Sequence, residues 1–291
     1  VTDDRVPLAD ALDTGAFDAD ALCGELRERL LDFLRPLGRI AVAYSGGVDS
    51  AVVAMAAYQV DPSGAVAVTG VSASLATSER QLAQDVARLI GIRHVELSTQ
   101  EFQNPDYLKN GPDRCFHCKT QLYTQIHQQQ SMLGFDTLVN GANTDDLGDY
   151  RPGMQAARDF AVISPLAECG INKRQVRQLA KAWGLPVWEK PASPCLSSRV
   201  AYGEQVSPER LAMIEQGEQI LRELGFAIVR VRYHANDLAR IEVDAADLHR
   251  LADSEIRSTL TMRFRALGFQ FVTLDLEGFR SGSLNVLVPL T

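Results

Sequence analysis

The sequence predicts an α/β fold, a doubly wound parallel sheet followed by a smaller C-terminal α+β domain. Short apolar runs alternate with stretches of helical periodicity up to about Leu185. A glycine-rich hexad lies directly between the first apolar run and a helix. After Pro186 the texture changes to a Pro- and Ser-containing connector and then to two adjoining strand patterns. Strands separated by helices pair in parallel, because each crossover returns the chain to the same end of the sheet.

Leu22, Leu26, Leu30 and Leu34 recur at helical spacing, so a helix precedes the first strand, predicted at 40–44. A Gly/Ser loop, a helix through 51–58 and an apolar strand at 65–71 come next. Ser78 with Gln81 reads as a capping box opening a helix with Leu82, Val86 and Leu89 on one face, closed by Gly91. The pattern then gives a strand at 94–97, a helix at 119–133, a strand at 137–140 entering a polar loop, and a helix at 172–183. Val176, Leu179, Ala180 and Trp183 mark the inward face of that last helix. Ser207-Pro208 reads as an N-cap followed by proline at the first helical position. The rest reads as helix 209–224, strands 226–234 and 238–244, helix 254–267 and strand 269–275. The expected organisation is a larger α/β domain over 1–190, a connector with Cys195 over 191–208, and a C-terminal α+β domain over 209–291.

Composition narrows the class. A chain of 291 residues, 46% hydrophobic and 23% charged, can bury a sizeable core. No apolar run reaches the ~20 residues of a membrane span, and the acidic N-terminus lacks an apolar signal core, so a cytoplasmic location is expected. A net charge of −8 argues against a broad electrostatic footprint for tRNA or DNA. Five cysteines, an odd number, fit metal or catalytic use better than a disulfide framework.

The strongest motif is Ser45-Gly46-Gly47-Val48-Asp49-Ser50. Adjacent glycines let the backbone turn tightly and approach an anion without a Cβ in the way. The helix N-terminus then faces a phosphate, with Ser45 and Ser50 as further donors and Asp49 as a ligand for Mg²⁺. The hexad lacks the Gly-Lys-Ser/Thr ending of a Walker A loop, which argues against γ-phosphoryl transfer. It resembles the PP-loop of the ATP pyrophosphatases, which hold the leaving β,γ-pyrophosphate of ATP while the substrate attacks the α-phosphorus. The competing reading is a plain glycine turn before a helix.

The second motif is Cys115-Phe116-His117-Cys118, joined far along the chain by Cys195 in Pro194-Cys195-Leu196-Ser197-Ser198-Arg199. A zinc site, three thiolates on a [4Fe–4S] cluster with one open iron, and free thiols all remain open on spacing alone. Cys23 and Cys169 read as incidental.

The PP-loop, Asn140-Gly141-Ala142-Asn143-Thr144-Asp145-Asp146, the run from Lys190 to Arg199, Val229-Arg230-Val231-Arg232-Tyr233-His234 and Arg280-Ser281-Gly282-Ser283-Leu284-Asn285 together resemble the LarE family. These are the ATP-dependent sulfur transferases of nickel-pincer cofactor synthesis. The resemblance implies adenylation of a carboxylate on a pyridinium biscarboxylate mononucleotide, then its conversion to a thiocarboxylate. One branch of the family sacrifices a cysteine in the position of Cys195. The added Cys115 and Cys118 resemble the other branch, in which three cysteines hold an iron–sulfur cluster. ATP, Mg²⁺ and a [4Fe–4S] cluster are the implied cofactors, with sulfide or another sulfur source as co-substrate and a homo-oligomer as the assembly.

Chemistry assigns roles around this core. Arg199 beside Cys195 is expected to favour a thiolate or to hold a substrate carboxylate. Asp145 and Asp146 follow a strand, where doubly wound sheets carry ligands, and are read as Mg²⁺ or substrate groups; their competing reading is turn formation. Arg230 and Arg232 fall on one strand face, and the resemblance gives them the substrate's phosphate; otherwise they are a strand face paired with Glu242. Arg280 is a lesser candidate for the same role. The rival function is a tRNA thiolase of the PP-loop class, which would need a basic RNA-binding surface or further zinc knuckles.

Overall fold

The computed structural model describes residues 14–147 and 152–280, with side chains from residue 23 onward. In chain order the first half contains α1 (Thr14–Leu34), β1 (Ile40–Ala43), α2 (Val48–Val60), β2 (Val66–Val71), α3 (Thr77–Ile90) and β3 (Arg93–Ser98). Next come α4 (Pro105–Leu108), α5 (Arg114–Gln128), α6 (Gln130–Leu133) and β4 (Thr137–Val139), then α7 (Pro152–Asp159), α8 (Pro165–Glu168) and α9 (Lys173–Ala182). The four strands form one parallel sheet in the order β3-β2-β1-β4.

Both faces of this sheet are covered, which explains the nearly unbroken apolar character of its strands. Ile40 and Val42 enter a core with Leu26, Leu30 and Leu34 of α1, much of α2, and Val176 and Leu179 of α9. Ala41, one residue out of phase, packs on the opposite face with Tyr123 and Ile126 of α5 and Ala156 of α7. Helices on two faces and a parallel sheet make the doubly wound arrangement read from the sequence.

The second half begins with a 3₁₀ turn over Leu196–Arg199 and α10 (Pro208–Glu223). β5 (Val229–His234) and β6 (Leu238–Val243) form an antiparallel hairpin; α11 (Ser254–Ala266) then crosses over to β7 (Phe271–Leu274), parallel to β6. Leu211, Ile214, Phe226, Val231 and Phe264 are the centre of this smaller core, and Tyr107, Leu196 and Val200 reach into it from earlier in the chain.

Several local expectations change. Ser78 does not cap α3: the N-cap is Ala76, without a side-chain bond, and the Thr77 amide donates instead to Glu215 of α10 at 2.6 Å. Leu89, read as inward, is 60% exposed. Asn172 caps α9 with Gln175 in a reciprocal capping box, and Ser207 accepts from the Arg210 amide as expected. The largest shift is α5, which starts at Arg114 rather than 119 and so carries Cys115 and Cys118 among its first five residues. The helix α7 was not legible as one. Ser281 to Asn285 lie outside the described residues.

Candidate active site

The C-terminal ends of all four sheet strands open into one pocket of about 570 Å³. At one end stands the hexad. Gly46 turns the chain with φ +72°, and a Cβ there would lie 2.7 Å from the backbone of Ala83 on α3, so the position excludes a side chain on two counts. Gly141 is equally confined, its Cβ position lying 2.7 Å from the Ser50 amide. Ser45 and Ser50 share a hydroxyl contact of 3.2 Å, and the Ser50 hydroxyl donates to Gly47 O at 3.1 Å. The N-cap of α2, Gly47, supplies no side-chain acceptor. The first amides of a 13-residue helix therefore face the pocket end with their partial positive charge uncapped by the chain.

Asp49 sits in the first turn of α2 and faces the same space. It accepts from Asn143 Nδ2 at 3.0 Å and is ion-paired with Lys173. The two aspartates after β4 divide. Asp146 lines the pocket and accepts from the Asn143 amide at 3.0 Å. Asp145 turns to α9, accepting from the Lys173 amide at 3.2 Å. Lys119, also on the pocket wall, and Lys173 were not singled out from the sequence. The only sequence signal for Lys173 is its place just inside a capped helix start.

Two of the thiols border the same pocket. Cys115 and Cys118, three apart at the start of α5, share a helix face. Cys195 precedes the 3₁₀ turn. Cys118 and Cys195 line the pocket that also holds Ser45 and Asp49. All are free, with Cys115 and Cys195 exposed. Burial first, then the negative fields of Cys195, Glu101 and Cys115, push the Cys118 thiol up. Among the described residues no group of three His, Cys, Asp or Glu side chains is gathered tightly enough for a single metal ion.

Cys195 is held by its neighbours' backbone. The Leu196 amide donates to Ser74 O at 2.9 Å, and buried Arg114 donates to Ser197 O at 2.7 Å. Tyr107 Oη lies 2.7 Å from Ser197 Oγ. Arg199 corrects the expectation placed on it. It is 3% exposed, ion-paired at 2.9 Å with Glu218, itself 2% exposed, and donates to the carbonyls of Pro194 and Cys195. Its donors grip the backbone of the loop that carries Cys195.

The strand arginines lie behind this loop and outside the lining of the pocket among the described residues. Arg232 is buried, paired at 2.8 Å with wholly buried Glu242, and donates to Ser198 O at 3.3 Å. The pair is diagonal, since Arg230 is the residue directly opposite Glu242. Arg230 is half-buried, donates to Val229 O at 2.8 Å and stacks 5.1 Å above the Phe279 ring. Burial first and Arg199 next pull its pKa down. Arg280 is exposed and ion-paired with Glu277.

Comparison with known proteins fits this geometry. Residues 32–124, which contain the hexad and the cysteine pair, match the asparagine synthase family model. An uncharacterized protein of Synechocystis is 46% identical over 89% of this chain and 96% of its own length. An uncharacterized protein of Methanocaldococcus jannaschii is 28% identical, over 84% of this chain and 91% of its own. The pyridinium-3,5-bisthiocarboxylic acid mononucleotide synthase of Lactiplantibacillus plantarum is 36% identical over 88% of this chain and 92% of its own length. With that similarity along nearly its whole length and an ATP-using PP-loop at the sheet's C-terminal edge, the chain belongs to the LarE family.

Proposed function

We propose that the chain is an AMP-forming sulfur transferase that converts a carboxylate of a pyridinium mononucleotide to a thiocarboxylate. The observation that supports this reading most is the single pocket shared by the PP-loop and two of the thiols. A carboxylate is a poor electrophile because oxide is a hopeless leaving group. Attack of its oxygen on the α-phosphorus of ATP expels pyrophosphate and makes AMP the later leaving group. The amides of α2 and the hydroxyls of Ser45 and Ser50 take up the pyrophosphate charge, with Mg²⁺ on Asp49. Asp49 would then release Lys173, leaving that cation beside the same phosphates.

Sulfur must reach the acyl carbon as an anion, after which AMP departs. Cys115, Cys118 and Cys195 are the thiols that would hold a [4Fe–4S] cluster: Cys118 and Cys195 line the pocket, and Cys115 is exposed three residues before Cys118 on α5. Such a cluster would supply, when bound, an anionic sulfur to the pocket that Cys118 and Cys195 line. Arg114, buried and without a carboxylate partner among the described residues, donates to Asn110 and Ser197 O and offers positive charge to these sulfurs. Arg230 is the guanidinium we assign to the substrate's phosphate, while Arg232 is committed to its buried pair with Glu242.

The test is the iron and sulfide content of anaerobically purified protein, followed by intact mass after turnover. The cluster reading expects close to four irons per chain and an unchanged Cys195. Iron-independent activity with loss of H₂S from Cys195 would replace it with a sacrificial cysteine.

A further inference from the structure

Glu101 is a buried carboxylate that neither adenylation nor sulfur transfer employs. It lies in a 3₁₀ turn after β3, is 1% exposed, and belongs to the wall of the active-site pocket. Its Oε1 accepts from Ser74 Oγ at 3.2 Å and from Ser72 Oγ; those two hydroxyls are themselves 2.9 Å apart. Its Oε2 is buried with no hydrogen-bond partner. Among the described residues no lysine, arginine or histidine forms an ion pair with it. Serine hydroxyls orient a carboxylate but carry no charge, so this buried group has polar neighbours and no paired cation among the described residues. That is costly unless a ligand brings the opposite charge.

The same wall contains Leu75, Leu122 and Pro194, apolar surfaces suited to a flat ring, and Cys195. We infer that Glu101 recognises the ring charge of a cationic N-ribosylated pyridinium. A ring nitrogen bearing ribose has no hydrogen to donate. Its attraction to a carboxylate acts through the field and requires no hydrogen bond, which matches an Oε2 closed to hydrogen-bond partners. A neutral donor, such as a ribose hydroxyl of ATP, would add one bond and leave the charge unbalanced. The inference rests on the pyridinium reading above and deepens it by naming the group that selects the ring.

Equilibrium binding of nicotinate mononucleotide, with its cationic ring, and of its dihydro form, with a neutral ring, separates the possibilities. AMP serves as the control ligand. The unaltered chain is expected to prefer the cationic form by roughly tenfold or more, as one screened charge pair provides. Glu101→Gln should abolish that preference while keeping AMP affinity, and Glu101→Asp, which keeps the charge, should retain most of it. Equal binding of both ring forms by the unaltered chain, or an undiminished preference in Glu101→Gln, overturns the assignment. So does a selective loss of AMP affinity in Glu101→Gln, which would give Glu101 to ATP instead. If AMP binds but neither pyridine nucleotide does, the pyridinium reading itself fails and takes this inference with it.

Discussion

Asp49 and Arg199 are both ion-paired, yet their surroundings give opposite expectations for mutation. Asp49 is about a quarter exposed and its partner Lys173 about a third, so solvent screens the pair and its loss costs little stability. Asp49→Asn should leave the melting temperature nearly unchanged. It should cut substrate-dependent AMP formation on the order of a hundredfold or more, because an amide is a weaker ligand for a hard cation at the developing charge. A rate near the unaltered value would remove Asp49 from the chemistry. Arg199 and Glu218 are almost wholly buried. Glu218→Gln leaves that guanidinium partly uncompensated, and about 3–5 kcal/mol of stability should be lost in urea titration, the scale for breaking a buried pair. A change below about 1 kcal/mol would show that the pair is not a structural bolt. From the sequence, Arg199 was legible as important only because it adjoins Cys195. Its partner lies 19 residues away, on another helix, and a burial of that kind leaves no local trace.

The turn between β1 and α2 packs its glycine on α3, so a single methyl there strikes backbone. Gly46→Ala combines a left-handed φ with a 2.7 Å clash against Ala83. It should destabilise by roughly 1–3 kcal/mol and lose ATP binding, both visible in thermal melts with and without ATP. The edge of the same sheet carries a pH-dependent clamp. Glu96 on β3 is held by Arg80 of α3 at 2.9 Å, and that bond first of all lowers the Glu96 carboxyl from 4.5 to about 2. A lowered folded pKa means that the stabilisation is present above pH 4.5 and disappears as pH falls toward 2. Glu96→Gln should therefore melt below the unaltered chain at pH 7, and the gap should close on acidification; a constant gap would contradict it. The strands of this sheet were readable because buried parallel strands are continuous apolar runs. The start of α5 was not readable. Its N-cap, Asp113, makes no side-chain capping bond and meets His117 instead, and Arg114 is fixed by Asn110 and Ser197 through the tertiary fold. Propensity alone placed the helix after the cysteines, and the structure places them inside it.

In the folded chain, the sheet edge gathers residues that the sequence keeps far apart: Ser45 and Asp49 after β1, Glu101 after β3, Cys118 on α5, Asp146 after β4 and Cys195 ahead of α10. The hexad was legible as a motif because its pattern is local, a strand, two glycines and a helix start in one run. Glu101, Lys119 and Lys173 were not, since each is a lone polar residue whose meaning comes only from what the fold sets beside it. The C-terminal half contributes mainly support, with Arg199, Arg232 and Glu218 bracing the Cys195 loop through buried ion pairs. Activation and sulfur delivery should therefore be separable. The most direct measurement uses Cys195→Ala with ATP and the pyridinium biscarboxylate mononucleotide, following isotope exchange between pyrophosphate and ATP alongside thiocarboxylate formation. Substrate-dependent exchange at close to the unaltered rate, with no thiocarboxylate, is the expected result. Release of ADP and phosphate, or thiocarboxylate at unaltered yield, would contradict the account.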